Sequence, residues 1–131
     1  MGAPMASRLL ETGFSLTVWN RTIEKAEPLT ESGASIAANA AEVSATAEIV
    51  LSILRDDDAA REVFNGPSGL LSVPVKDKLF IEMGTLQPQT AKDLAGLCQK
   101  CGAGFIDAPV SGTVGPAKEG RLMALVGGSE A

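Results

Sequence analysis

The sequence contains neither histidine nor tyrosine. Histidine is the side chain most often used as a general acid or base near neutral pH, and a tyrosine hydroxyl serves in many carbonyl reductases. Any proton transfer in this protein must therefore use lysine, aspartate, glutamate or cysteine, or groups supplied from outside the chain. The two absences exclude several of the commonest catalytic arrangements before any motif is considered.

Basic tracts and long apolar runs are also absent. The 11 Lys and Arg residues are outnumbered by 16 Asp and Glu residues, which gives a formal net charge of −5. This balance argues against nucleic acid as a partner. No apolar run approaches the roughly 20 residues that a membrane span needs. No charged segment followed by an apolar segment opens the chain, so we expect a cytoplasmic protein that is not secreted.

Cysteine is scarce, and the two present are spaced as C-x-x-C, at Cys98 and Cys101. A zinc site would need two further Cys or His ligands, which the sequence does not contain. A redox dithiol of the thioredoxin type opens a helix after a strand, whereas this pair closes a segment with helical periodicity. We therefore favour two thiols on one helix over a metal or redox site.

The 131 residues predict one domain in which strands and helices alternate. The continuous apolar run of residues 48–54 is typical of a strand buried on both faces. Further strands are predicted at 14–19, 35–37, 78–83 and 104–110, with a last strand in LMALVGG. Helices are predicted at 3–12, 22–32, 39–46, from the aspartates at 56–58 to about 65, and at 88–102. This order predicts an α/β fold with a doubly wound parallel sheet.

Three segments carry a resemblance to a known family. They read MGAPMASRLLETGFSLTVWNRT, FIEMGTLQPQTAKDLA and DAPVSGTVGPAKEGRLMALVGG. Together they resemble the β-hydroxyacid dehydrogenase family, which includes 3-hydroxyisobutyrate dehydrogenase and, more distantly, 6-phosphogluconate dehydrogenase. Members typically open with a strand and then G-L-G-x-M-G-x-P-M-A, of which the first six residues here match only the end. The resemblance implies a Rossmann-type sheet that lacks its first strand.

The resemblance also implies cofactor contacts. Gly2 would be the last glycine of the pyrophosphate-binding turn, with Pro4 and Met5 in the helix that follows it. Leu54, after the strand at 48–54, would lie along the central part of the cofactor. Thr85 falls where the family places a Ser or Thr beside the nicotinamide.

The choice between NAD and NADP is indicated at the end of the strand at 14–19. An acidic residue there would bind the ribose 2′-hydroxyl and repel a 2′-phosphate. This chain has Asn20, Arg21 and Thr22 instead. Arginine can bind a phosphate in a forked geometry, and the family's NADP-dependent members often show the same triplet. We infer NADP over NAD; the alternative is a solvated Arg21 beside a Thr22 that caps a helix.

The last segment resembles the substrate loop of the family. Ser111 and Thr113 offer hydroxyls, and Gly112 lets the backbone approach a small carboxylate closely. Thr113 stands where a second glycine is usual, which leaves the substrate open. From the residues alone, a glycine-rich turn that only reverses the chain is an equal alternative.

The general acid or base of the family, a lysine in a pattern like G-x-x-x-K-x-x-x-N, has no counterpart here. The chain's six lysines are Lys25, Lys76, Lys78, Lys92, Lys100 and Lys118. Residues 1–131 are thus expected to be a partial NAD(P)-binding domain without the helical domain that usually forms the dimer. We expect Met1 to be an internal methionine, the chain to be truncated at both ends and poorly stable, and no catalytic residue to be present.

The sequence thus predicts a fragment of an NADP-dependent oxidoreductase that acts on a small hydroxy acid or aldehyde acid, homo-oligomeric at full length. Two alternatives stay open. One is a non-catalytic NADP-binding or scaffold module, and the other is an imine reductase, in which the acid is not lysine.

Overall fold

The computed structural model describes residues 1–129. Five α-helices and eight short strands alternate along this part of the chain. The helices are α1 Gly2–Glu11, α2 Ala40–Thr46, α3 Asp57–Asn65, α4 Pro88–Lys100 and α5 Val114–Glu119. The strands are β1 Thr17–Val18, β2 Ser35–Ile36, β3 Ile49–Ser52, β4 Leu79–Glu82, β5 Gly104–Asp107, β6 Val110–Ser111, β7 Met123–Ala124 and β8 Gly127–Gly128.

A four-stranded sheet in the order β3-β4-β5-β8 forms the centre of the fold. The first three strands are parallel, and β8 runs antiparallel to β5. Strands β1 and β2 form a separate parallel pair, and β6 and β7 form an antiparallel pair. The predicted α/β class with a parallel sheet is confirmed. No ladder joins β1 to β3 within residues 1–129, so the parallel strands lie in two pieces.

The core lies where α3 and α4 pack on the sheet. Phe64 and Phe80 are fully buried, with ring centroids 5.7 Å apart. Phe105 contacts Phe64 edge-on at 6.0 Å, and Leu94 of α4 is 1% exposed. Cys98 is buried beside them, while Cys101 is exposed just past the end of α4. This placement agrees with two helical thiols, and burial raises the pKa of the Cys98 thiol to about 12.

The strand predicted at 14–19 is shorter than expected. Only Thr17 and Val18 are in β1, and Phe14 is 62% exposed. The amide of Phe14 donates to the carbonyl of Leu9 and that of Gly13 donates to Leu10, so these residues end α1. Backbone groups that satisfy the helix terminus are not free to enter a ladder.

The helix predicted at 22–32 is two 3-10 turns, Ile23–Lys25 and Glu27–Ser32. Pro28 lacks the N–H that would continue an α-helix through this point. Thr22 lies at the cap position of the first of these turns, although its side chain makes no capping hydrogen bond. Gly33 does end the segment, with φ of 96°.

Three further features differ from the prediction. Strand β3 is covered on one face only, since Ile49 and Leu51 are 59% and 44% exposed. The strand predicted at 104–110 ends at Asp107, and its last residue belongs to β6, because Pro109 cannot donate to the ladder. The glycine-rich loop contains α5, and LMALVGG is divided between β7 and β8.

Candidate functional site

The amino end of α1 is a helix start without a side-chain cap. Met1 occupies the cap position and makes no capping bond. The first amides of a helix have no partner within it, and the helix dipole places partial positive charge there, so this end is suited to an anion. An ideal Cβ on Gly2 would lie 3.1 Å from Cγ2 of Ile53. The helix therefore starts against the residue that follows β3.

The carboxyl ends of β3 and β4 lie against each other next to this helix start. An ideal Cβ on Gly84 would lie only 2.7 Å from the carbonyl oxygen of Leu54. The amide of Met83 also donates to the carbonyl of Ser52, at 2.7 Å. Leu54 is half-buried and Thr85 is exposed. The loops after the two strands thus present both predicted cofactor residues at one edge of the sheet.

The turn after β1 presents Arg21 to solvent. The Asn20 side-chain oxygen accepts the amide of Thr22 at 2.9 Å and so fixes the turn. Arg21 is exposed and forms no ion pair within residues 1–129. Hydrogen bonds from the Ala59 amide and Arg55 hold the pKa of Asp56 below its usual value, and the charge of Arg21 also lowers it. The Arg21 guanidinium is therefore close enough to the start of α3 for its charge to act on the Asp56 carboxylate.

Glu82, to which no sequence motif pointed, is the buried acid of this region. It is fully buried at the end of β4 and accepts hydrogen bonds from the Ser52 hydroxyl and, at 2.8 Å, from the Gly84 amide. Burial raises the pKa of Glu82, and the hydrogen bonds from Ser52, Gly84 and Leu54 oppose that rise. A signal was present in the sequence, since Glu82 is the one charged residue inside the apolar run LFIEM.

The predicted substrate residues lie in the loop between β6 and α5. Ser111 ends β6, Gly112 has φ of 136°, and Thr113 precedes α5 without capping it. An ideal Cβ on Gly112 would lie 2.7 Å from Cδ2 of Leu122, so only glycine fits there.

Pro4 and Met5 are half-buried in the first turn of α1, the helix that Gly2 begins. Gly2, Leu54 and Thr85 therefore lie at neighbouring ends of α1, β3 and β4. The turn of Asn20, Arg21 and Thr22 follows β1. Among the described residues, no helix is both long and apolar enough to cross a membrane.

The aspartates at 56–58 act as helix-start residues, as predicted. Asp56 accepts the Ala59 amide at 2.9 Å, and Asp57 accepts the Gln87 amide at 3.0 Å. They line a shallow depression together with Arg61 and Thr90. The carboxylates of Asp56 and Asp57 are thus used in holding α3 and the loop before α4.

Comparison with known families decides the classification. The family described as the NAD-binding domain of 6-phosphogluconate dehydrogenase matches residues 1–131. The chain belongs to this family. The predicted resemblance to the hydroxyacid dehydrogenases is confirmed, and the protein is an NAD(P)-binding domain of an oxidoreductase family.

Curated relatives of this NAD-binding domain include enzymes and a nuclear protein. It is 38% identical over 130 residues to mitochondrial 3-hydroxyisobutyrate dehydrogenase of Mus musculus, covering 99% of the chain and 39% of that protein. It is 36% identical over 130 residues to cytokine-like nuclear factor N-PAC of Xenopus tropicalis, covering 99% of the chain and 24% of that protein. The chain thus spans well under half the length of either relative. Their names include two different compartments, and the cytoplasmic location stays a prediction.

Solved structures resemble the NAD-binding domain over nearly its whole length. Mycobacterium tuberculosis 3-hydroxyisobutyrate dehydrogenase with L-serine gives a TM-score of 0.92 at 28% identity, covering 99% of this chain and 44% of that one. Psf3 in complex with NADP+ and 2-OPP gives 0.91 at 30% identity, covering 98% and 46%. A reductive aminase from Aspergillus terreus with NADPH4, cyclohexanone and allyl amine gives 0.83 at 30% identity, covering 100% and 45%.

Proposed function

We propose that this chain binds NADP(H) across the carboxyl ends of β1, β3 and β4. The pyrophosphate lies at the uncapped start of α1, the 2′-phosphate is bound by Arg21, and the nicotinamide half lies toward Leu54 and Thr85. This is the edge at which open parallel sheets bind ligands. The proposal is supported by the contact of Gly2 with Ile53 and by the packing of Gly84 against Leu54.

Arg21 is the observation that carries the choice of NADP(H). An NAD-specific site would have a carboxylate after β1 to bind the ribose hydroxyls, and this chain has an exposed guanidinium instead. The turn fixed by Asn20 leaves that guanidinium outside the ion pairs of the described residues. The bound NADP+ and NADPH4 of the similar structures support the same choice.

The test compares NADPH and NADH by isothermal titration calorimetry. Removing a charge-assisted phosphate contact costs on the order of tenfold or more in affinity. We expect R21A to weaken NADPH binding by about tenfold and to change NADH binding by less than about twofold. R8A is the matched control, because Arg8 lies in the last turn of α1 and pairs with Glu11. Equal affinities of the unmutated chain for both cofactors, or an R21A effect no larger than that of R8A, would contradict the proposal.

We further propose that the whole protein transfers hydride between the nicotinamide and a small hydroxy acid or aldehyde acid. Ser111, Gly112 and Thr113 would hold the substrate carboxylate through two hydroxyls and an exposed backbone. The name of the 3-hydroxyisobutyrate dehydrogenase relative supports this substrate class. The residues of this chain fit binding of the cofactor better than proton transfer by a lysine. Lys78 donates to the carbonyls of Ser44 and Ala47, and the other five lysines are exposed.

The second candidate is therefore a module that binds the cofactor without turning it over, and an assay of NADPH oxidation separates the two. We expect the chain alone to bind NADPH yet to oxidise it no faster with succinic semialdehyde or glyoxylate than without. Turnover of either acid would show that the chain contains a sufficient general acid. Turnover only with a ketone and an amine would favour imine reduction, which the similarity to the reductive aminase keeps as a third possibility.

A further inference from the structure

The Glu82 carboxylate joins the ends of two neighbouring strands. One of its oxygens accepts the hydroxyl of Ser52, the last residue of β3. The other accepts the amide of Gly84, in the loop after β4, at 2.8 Å. The main-chain carbonyl of Glu82 accepts the amide of Ala108, which follows β5. Glu82 thus has hydrogen-bonded partners on or just after three adjacent parallel strands.

The loop held in this way has little freedom to move. Gly84 is buried, and an ideal Cβ there would lie 2.7 Å from both Oε1 of Glu82 and the carbonyl oxygen of Leu54. Loss of the carboxylate would leave the Gly84 amide and the Ser52 hydroxyl buried without an acceptor, which the chain can relieve only by shifting the loop. Thr85, the next residue, is exposed and would move with it.

We propose that Glu82 is a positioning residue, whose carboxylate holds the Gly84–Thr85 loop against Leu54 so that the nicotinamide half of the dinucleotide finds a formed surface. Glu82 is fully buried and acts through this loop, without touching the cofactor. The inference rests on the proposed NADP(H) site and adds to it a residue that neither the sequence motifs nor the comparisons assign. Preformed loops bind more tightly because less conformational entropy is lost on binding.

The experiment uses two probes that share the adenine half of the cofactor. NADPH reaches both ends of the proposed site, whereas adenosine 2′,5′-bisphosphate lacks the nicotinamide half. E82M replaces the acceptor with an apolar side chain of similar length. We expect E82M to weaken NADPH binding by about tenfold and to leave adenosine 2′,5′-bisphosphate within about twofold. A merely structural role would weaken both probes together.

Three further variants keep the test decisive if E82M does not fold. E82Q retains one oxygen for the Gly84 amide and can donate to Ser52, so it should restore NADPH binding to within about threefold. G84A places a Cβ where Leu54 and Glu82 leave no room, and S52A removes one donor. Both should show the same selective loss of NADPH affinity, smaller for S52A. S44A is the control for S52A, because Ser44 is also buried and its hydroxyl has no partner within residues 1–129.

The results separate failure of this inference from failure of the proposed function. If the unmutated chain binds neither probe, the NADP(H) site is wrong and the role of Glu82 falls with it. If the unmutated chain binds both probes but E82M and G84A weaken both equally, or weaken neither, the site stands and the positioning role is overturned. Selective loss of NADPH affinity, restored by E82Q, establishes it.

Discussion

Glu82 shows at the scale of one residue how burial sets a pH dependence. Burial raises its pKa in the folded chain, so the folded state holds the proton to higher pH than the unfolded state does. The stability contributed by that proton is complete below the unfolded value of about 4.3 and is lost as the pH rises through the folded value. We expect the stability advantage of E82Q over the unmutated chain to be larger at pH 7 than at pH 4. Urea unfolding at both pH values measures it, and a difference that does not change with pH would contradict the assignment.

The pH dependence of stability that Asp56 contributes has the opposite sign. Hydrogen bonds from the Ala59 amide and from Arg55 lower its pKa, so its contribution is present above the unfolded value of about 3.9 and is lost as the pH falls through the folded value. We expect D56A to lower the urea midpoint at pH 7, and D56N, which still accepts the amide, to lower it less. The deficit of D56A should shrink below about pH 4. Equal midpoints for D56A and D56N at pH 7 would show that the side chain does not cap α3.

Single residues at helix starts could be predicted from sequence, because capping is a local interaction. Asn39 accepts the amide of Glu42 at 2.9 Å, and Asp56 accepts that of Ala59, each at the residue where the sequence predicts the helix to begin. Glu82 could not be assigned in this way, since its partner Ser52 lies 30 residues earlier in the chain. Only the register of β3 against β4 places the two side by side.

At the scale of elements, α4 is held by one buried face. Leu94 is 1% exposed and belongs to the core, whereas Lys92 is exposed on the same helix. Truncating a buried leucine typically costs about 2–5 kcal/mol, and exposed substitutions usually stay within about 0.5 kcal/mol. We expect L94A to lower the free energy of unfolding by about 3 kcal/mol and K92A to leave it nearly unchanged. Similar effects of the two variants would mean that α4 is not packed as described.

The elements themselves were predictable where periodicity and breakers agreed. Helix α4 is bounded by Pro88 and by Gly102 shortly after its end, and it lies within the predicted range. Strand lengths were less predictable, because a β-branched run does not reveal where a ladder partner ends. The Phe14 amide is used by α1, and Pro109 separates β5 from β6. The outer face of β3 was wrongly expected to be buried, since exposure depends on what packs beside it.

At the scale of the whole molecule, the parallel strands are divided between two sheets. Strand β3 ends the order of the larger sheet, and its side chains Ile49 and Leu51 are exposed. A parallel neighbour would pair the unsatisfied backbone N–H and C=O groups along the free edge of β3. The doubly wound order places such a strand between β1 and β3. The predicted weak stability of the chain follows from the same edge and stays a prediction.

Fusing an apolar five-residue strand and a Gly-x-Gly-x turn ahead of Met1 tests whether the free edge of β3 lowers the stability of the chain. We expect the midpoint of thermal unfolding to rise by about 5 °C or more, because the added strand can pair with β3. The control carries the same extension with two prolines in the strand, which cannot donate to a ladder. An equal rise with both extensions would show that strand pairing is not the cause.

The proposed site holds an adenine dinucleotide across the carboxyl ends of β1, β3 and β4. Amide chemical-shift changes in the 15N-labelled chain, followed during titration with NADPH, test it most directly. We expect the largest changes at Gly2, Arg21, Leu54 and Thr85, with saturation at a common affinity. Changes confined to other surfaces, such as the exposed face of α4, or no saturable change at these four amides in the folded chain, would contradict it.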